Sequence, residues 1–148
     1  MDTPVEAVQI PFKGGSLPGY FFLADDSGGA PRLTVILTSG FDSTLEEAYF
    51  VVGAAARRRG YNVPAYDGPG QGASLREQRL FLRPDWEAVV TPVVGYALTR
   101  PEVASGRMVL MDYSLGGYLT ARAPPMNTAC PPWPWTTAST TTTRPTPG

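Results

Sequence analysis

The residues whose types and spacing could do chemistry centre on a serine, in the segment Asp112-Tyr113-Ser114-Leu115-Gly116-Gly117. A serine hydroxyl is a weak nucleophile at neutral pH and needs an adjacent proton acceptor. The usual acceptor is histidine, and the 148 residues contain none. The sequence therefore indicates a nucleophile at Ser114 without its usual base.

The surroundings of this serine are typical of a sharp strand-to-helix turn. Such a turn lifts its central residue above the edge of the sheet, and Gly116 and Gly117 leave room for the crowded backbone. The N–H of Leu115 is expected to donate to an oxyanion. A second donor is expected from the N–H of Phe41, which follows an apolar strand. The alternative is an ordinary strand–turn–helix junction with a surface serine.

The elements that position these segments alternate along the chain. A hairpin is predicted at residues 8–23. The apolar run at residues 33–38 predicts a strand buried on both faces, and further strands are predicted at residues 61–66, where Pro64 argues against one, and 107–111. Amphipathic stretches predict three helices, at residues 45–59, 86–99 and 116–123. This order predicts an α/β fold with a mostly parallel sheet and an N-terminal antiparallel hairpin.

Local signals predict where the helices begin and end. Ser43, three residues before a glutamate, predicts a capping box, and Gly60 predicts the end of the first helix. Asp85 is expected to cap the second helix. Pro92 and Gly95 inside that helix predict a kink or a break.

Several segments in the same order resemble those of the α/β-hydrolase superfamily. They are Ser39-Gly40-Phe41-Asp42-Ser43, Tyr66-Asp67-Gly68-Pro69-Gly70-Gln71-Gly72, Pro84-Asp85-Trp86-Glu87 and Tyr113-Ser114-Leu115-Gly116-Gly117-Tyr118. The pattern is similar to the branch of prolyl-oligopeptidase-like esterases, fermentation-respiration-switch esterases and 2,6-dihydroxypseudooxynicotine hydrolases, over residues 8–123. The resemblance implies a serine hydrolase that transfers an acyl group through Ser114, with an oxyanion hole from the N–H groups of Phe41 and Leu115. The substrate of such an enzyme would be a small molecule with an ester, thioester, amide or activated C–C bond.

The sequence departs from that pattern because it lacks the histidine that acts as the general base. In the family the acid and the histidine come from later strands, so the chain is expected to be an impaired or inactive hydrolase. The alternative function is a non-catalytic remnant that binds a small ligand. Lys13, Asp42 and Asp67 are the alternative bases, although a carboxylate with a pKa of about 4 is a poor base for a serine hydroxyl.

A second departure is Asp112, where the family has a small residue. Two interpretations stay open. Either this side chain strains the elbow and its charge opposes an oxyanion, or it bends toward solvent and is tolerated.

The composition changes at residue 124. Residues 1–123 predict a partial, truncated α/β-hydrolase domain, and residues 124–148 predict a disordered tail rich in Pro and Thr, with no acidic residue. The change falls inside the last predicted helix, which favours a slip of the reading frame in the coding sequence. A natural Thr/Pro-rich linker and an interaction module in the tail are the alternatives. The incomplete sheet is expected to leave an exposed edge through which the chain self-associates.

The overall composition excludes several classes of partner. The net charge is −1, which gives no sign of nucleic-acid or membrane binding. One Cys and no His argue against a disulfide framework or a zinc site, so we expect no metal and no cofactor. Residues 1–9 are acidic and contain no long apolar stretch, which predicts a cytoplasmic protein without a signal peptide.

Overall fold

The computed structural model describes residues 5–24 and 30–121, and the backbone of residues 138–139. The strands are β1 (Val5–Phe12), β2 (Gly15–Phe22), β3 (Arg32–Thr38), β4 (Val63–Tyr66), β5 (Val103–Asp112) and β6 (Ala138–Ser139). The helices are α1 (Leu45–Ala48), α2 (Ala54–Arg58), α3 (Gly72–Arg76), α4 (Glu87–Leu98) and α5 (Leu115–Ala121). A π-helical turn, Tyr49–Gly53, joins α1 to α2.

These strands form one mixed sheet in the order β1-β2-β4-β3-β5-β6. The strands β1 and β2 make an antiparallel hairpin, and β2 also pairs antiparallel with β4. The strands β4, β3, β5 and β6 run parallel. The predicted α/β fold, with its parallel sheet and N-terminal hairpin, is confirmed.

Apolar residues cover both faces of the sheet. On one face, Trp86 and the buried valines of α4 pack with Ile36 of β3 and Leu119 of α5. On the other face, Leu45 of α1 and residues of the π-helical turn and α2 pack with Leu37 of β3. Neighbouring residues of β3 therefore pack against helices on opposite faces of the sheet, which explains the continuous apolar sequence of this strand.

The first helix begins and ends close to the predicted residues. The predicted cap, Ser43, is wrong by one position: the side chain of Thr44 accepts the hydrogen bond from the N–H of Glu47, at 3.4 Å, while Ser43 is buried. The prediction for Gly60 is confirmed, because its φ is +79° and its N–H bonds back to the last turn of α2.

The helix α4 is continuous through Pro92 and Gly95, so the predicted break is wrong. A proline inside a helix removes one backbone hydrogen bond. We attribute the intact helix to its buried face, made by Val89, Val90, Val93, Val94 and Ala97. The predicted cap is also wrong, because the carboxylate of Asp85 accepts hydrogen bonds from Arg83 and Trp86 occupies the N-cap position.

Most of the predicted tail lies outside the described residues, as does the position of the proposed frame slip. Within it the structure describes only Ala138–Ser139, whose backbone pairs with Met111 and Asp112 at the end of β5. Among the described helices, none is both long enough and apolar enough to cross a membrane.

Candidate active site

Ser114 lies in the sharp turn between β5 and α5. Its φ is +56°, in the left-handed region where a residue other than glycine costs about 1–2 kcal/mol. The turn closes through hydrogen bonds from the N–H groups of Gly116 and Gly117 to the carbonyls of Tyr113 and Ser114, at 3.0 and 3.1 Å. The serine is exposed. The strand–turn–helix context predicted for it is therefore present.

The segment after β3 lies directly against this serine. A Cβ atom added to Gly40 would lie 2.8 Å from the Cβ and 3.1 Å from the Oγ of Ser114. Only a glycine fits at that distance. The next residue is Phe41, whose side chain is exposed. The structure thus brings the predicted oxyanion segment to the predicted nucleophile.

Gly116 allows α5 to approach the end of β3. A Cβ atom added there would lie 2.5 Å from the carbonyl oxygen of Thr38 and 2.8 Å from that of Ser39. These are backbone atoms at the end of β3, which pairs with a strand on each side, so they have little freedom to move. Gly117 is half-buried, and its N–H closes the turn on Ser114.

Asp112 is buried rather than turned toward solvent, so the solvent-facing interpretation of this residue is wrong. It is the last residue of β5 and pairs with Thr38 of β3. Its side chain is 2% exposed, and its Oδ1 has no hydrogen-bond partner among the described residues. Burial raises the pKa of its carboxyl group. The left-handed backbone is at Ser114 and not at Asp112, so the cost of this residue is desolvation rather than backbone strain.

Two of the alternative bases are held elsewhere. Lys13 lies in the turn between β1 and β2, with its ammonium 5.9 Å from the ring centre of Phe12. Two strands separate β2 from β5, and three strand spacings amount to about 14 Å. Asp42 forms an exposed ion pair with Arg76 at 3.0 Å.

The third alternative base, Asp67, follows β4. Its Oδ2 accepts a hydrogen bond from the N–H of Ala73 in α3, at 2.8 Å, and it is 3% exposed. Burial raises its pKa to about 6, although the bond from Ala73 acts in the opposite direction. Within the described residues, no hydrogen bond joins Lys13, Asp42 or Asp67 to Ser114.

A glutamine that the sequence analysis did not single out joins two loops beside the elbow. Gln71 is 1% exposed, and its Nε2 donates to the carbonyls of Ser39 and Gly40 at 2.7 and 3.2 Å. Its Oε1 accepts from the N–H of Gly68 at 2.9 Å. The available signal was an amide side chain within the glycine-rich segment Asp67–Gly72.

Trp86 explains the need for one glycine of that loop. Its indole is fully buried, and a Cβ atom added to Gly68 would lie 2.6 Å from its Cη2. The residue before α4 therefore supports the loop that contains Gln71. In the described part of the chain, no three His, Cys, Asp or Glu side chains come together in a group that could hold a metal ion.

No protein-family model matches the chain. Among curated proteins, hydrolase LUC6 of a Fusarium species is 43% identical over 132 residues, which cover 83% of this chain and 31% of that protein. The 20-hydroxy-prefusarin hydrolase FUS2 of Gibberella moniliformis is 43% identical over 130 residues, with the same coverage of both chains. An Acremonium protein that is 39% identical is named an alpha/beta hydrolase.

The fold points the same way. The crystal structure of 2,6-dihydroxy-pseudo-oxynicotine hydrolase superposes with a TM-score of 0.74 and 26% identity, over 89% of this chain and 35% of that one. The chain belongs to the α/β-hydrolase superfamily. A complex of DcsB with a substrate analogue, at 22% identity and a TM-score of 0.65, shows the same α/β-hydrolase fold.

This α/β-hydrolase chain spans about 31% of the length of the first two curated relatives. The curated relatives and the superposed structure confirm, at the level of the superfamily, the resemblance inferred from the sequence motifs. The nucleophile role of Ser114 and the donor roles of Phe41 and Leu115 stay predictions.

Proposed function

We propose that this chain comes from a serine hydrolase lineage that transfers an acyl group through Ser114. The observation that supports this most is the exposed serine at a φ of +56°, between β5 and α5, in contact with Gly40. A left-handed residue other than glycine is kept where the surrounding structure imposes it, and such positions cluster at active sites.

In the proposed reaction the Oγ of Ser114 attacks a carbonyl carbon while a base takes its proton. The negative charge on the carbonyl oxygen is stabilised by backbone N–H donors. The N–H of Leu115 is available because it belongs to the first residue of α5 and has no acceptor within the helix. The N–H of Phe41 is the second proposed donor. The 148 residues hold no histidine, so we expect the acyl transfer to be impaired in this chain.

The proposed substrate is a small molecule with an ester, thioester, amide or activated C–C bond. Two of the similar proteins are named for small organic molecules, 20-hydroxy-prefusarin and 2,6-dihydroxy-pseudo-oxynicotine. Phe41 follows Gly40, which lies against Ser114, and Tyr118 follows Ser114 by four residues. The two residues are 73% and 61% exposed. Their exposed rings suit an apolar group on the substrate.

A second candidate function is non-catalytic binding of a small acyl ligand. The absence of histidine favours it, as does the buried carboxyl group of Asp112, two residues before the serine. We also propose that the chain self-associates through β5, since, within residues 5–24, 30–121 and 138–139, the pairing of β6 with that strand is confined to Met111 and Asp112.

Labelling with a fluorophosphonate tests the first candidate. In a buffer that contains imidazole as a base, we expect the wild-type chain to gain one phosphonyl adduct on the peptide with Ser114. Ser114→Ala should remove the adduct, because the nucleophile is gone. Ser105→Ala is the matched control, since Ser105 is an exposed serine at the other end of β5 and should leave labelling unchanged.

Intact-mass measurement followed by peptide mapping gives the result. Equal labelling of the wild type and Ser114→Ala would contradict the hydrolase proposal. Of the two candidate functions, only the non-catalytic binding of a ligand would then be retained.

A further inference from the structure

We propose that Gln71 is a positioning residue that orients the peptide bond between Gly40 and Phe41, and so directs the N–H of Phe41 toward the oxyanion. This inference rests on the proposed function, because it concerns the same site. It assigns a role in acyl transfer to a residue that does not touch the nucleophile.

The first step is the hydrogen bonding of the Gln71 side chain. Its amide nitrogen donates to both carbonyls of the segment after β3, Ser39 and Gly40. Its amide oxygen accepts from Gly68, so oxygen and nitrogen both have partners although the residue is 1% exposed. A buried amide with all these bonds made holds its partners in one geometry.

The second step is the geometry of the peptide bond itself. In a trans peptide the C=O of one residue and the N–H of the next point in opposite directions. No cis peptide bond occurs in the described part of the chain. Because Gln71 binds the carbonyl of Gly40 on one side, the N–H of Phe41 points away from Gln71.

The third step is the need for an external constraint. Contact with Ser114 requires a glycine at position 40, since an added Cβ would lie 2.8 Å from the Cβ of the serine. A glycine, however, adopts both signs of φ with similar ease, so it does not fix the orientation of the following peptide. The hydrogen bonds from Gln71 supply that constraint.

The fourth step is the rigidity of Gln71. Its own N–H donates to the carbonyl of Gly68 at 2.9 Å, and the indole of Trp86 packs against Gly68. The position of Gln71 is thus set by the residue that precedes α4. Through its hydrogen bonds to Ser39 and Gly40, Gln71 in turn holds the segment after β3 in place.

Gln71→Glu removes the donor and keeps the acceptor for Gly68. It places an oxygen against two carbonyl oxygens, so we expect the peptide between Gly40 and Phe41 to turn. Gln78→Glu is the matched control, because it makes the same chemical change at an exposed position. In an NMR spectrum of ¹⁵N-labelled protein, the amide signal of Phe41 should shift in Gln71→Glu and stay in place in Gln78→Glu. Labelling of Ser114 in imidazole buffer should fall on the order of 10²-fold in Gln71→Glu alone.

These two readouts separate the inference from the proposed function. An unmoved Phe41 signal in Gln71→Glu, or equal shifts in both variants, would overturn the role of Gln71. A shifted signal without labelling of the wild type would support the role of Gln71 and contradict the hydrolase proposal.

A measurement on the wild type covers the outcome in which Gln71→Glu does not fold. The side-chain amide protons of Gln71 should exchange with solvent far more slowly than those of exposed Gln78. Equal exchange rates would show that the bonds to Ser39 and Gly40 are not maintained, and would overturn the inference.

Discussion

Gly116→Ala is expected to destabilise the protein by about 2–4 kcal/mol, because the new methyl group would overlap backbone atoms that have no room to move. The carbonyl oxygens of Thr38 and Ser39 would lie 2.5 and 2.8 Å from it. Thr38 pairs with β4 on one side and β5 on the other, so the strand is held from both sides. The helix α5 must therefore move away from the sheet, and the turn at Ser114 must open with it.

Equilibrium unfolding in urea measures this effect. Gly95→Ala is the matched control, since Gly95 lies within α4 and a Cβ there has no atom within 4 Å. That variant should gain up to about 1 kcal/mol, because alanine favours the helix more than glycine does. Equal stability changes in the two variants would contradict the close approach of α5 to β3.

Asp112→Ala is expected to stabilise the protein by about 1–3 kcal/mol at pH 7, because it removes a buried carboxyl group whose Oδ1 has no hydrogen-bond partner among the described residues. Burial raises the pKa of this carboxyl group above its unfolded value, so ionisation opposes folding. Below about pH 4, the pKa of an unfolded aspartate, the carboxyl group is protonated in both states and does not lower the stability of the wild type. The wild type loses stability as the pH rises through the raised pKa of the folded state. The advantage of Asp112→Ala should therefore shrink as the pH falls from 7 toward 4.

Asp85→Ala is a control of opposite sign. Arg83 lowers the pKa of Asp85 to about 2, so its charge favours the folded state and the variant should be slightly less stable at pH 7. That small loss should vanish as the pH falls through about 2. Unfolding curves for both variants between pH 2 and pH 7 provide the test. A destabilised Asp112→Ala protein at pH 7 would show that the carboxyl group has a favourable partner.

The sequence was sufficient for the parts of the fold that depend on local pattern. Apolar runs with intervening amphipathic stretches predicted the parallel strands and the hairpin. The glycines after Ser114 predicted its turn, because a close approach of helix and strand excludes a side chain. The end of the first helix at Gly60 was also predictable, because that position requires a positive φ, which glycine adopts readily.

The remaining features depend on contacts between residues distant in sequence. Gln71 binds a segment about thirty residues earlier, which no local pattern indicates. Asp112 is buried at the end of β5, and the sequence left both orientations of its side chain open. Pro92 and Gly95 predicted a kink or a break, and the break is wrong because α4 is one helix over Glu87–Leu98 with a buried face.

We infer that this chain forms the serine turn, while its 148 residues contain no histidine to act as the base. The most direct test is the rate of fluorophosphonate labelling at Ser114 as imidazole is raised from zero, with Ser114→Ala as the blank. Imidazole has a pKa near that of histidine, about 6.5–7, so it can accept the serine proton at neutral pH. We predict a rate near the blank without imidazole, rising in proportion to its concentration. Fast labelling without imidazole that imidazole leaves unchanged would contradict the account.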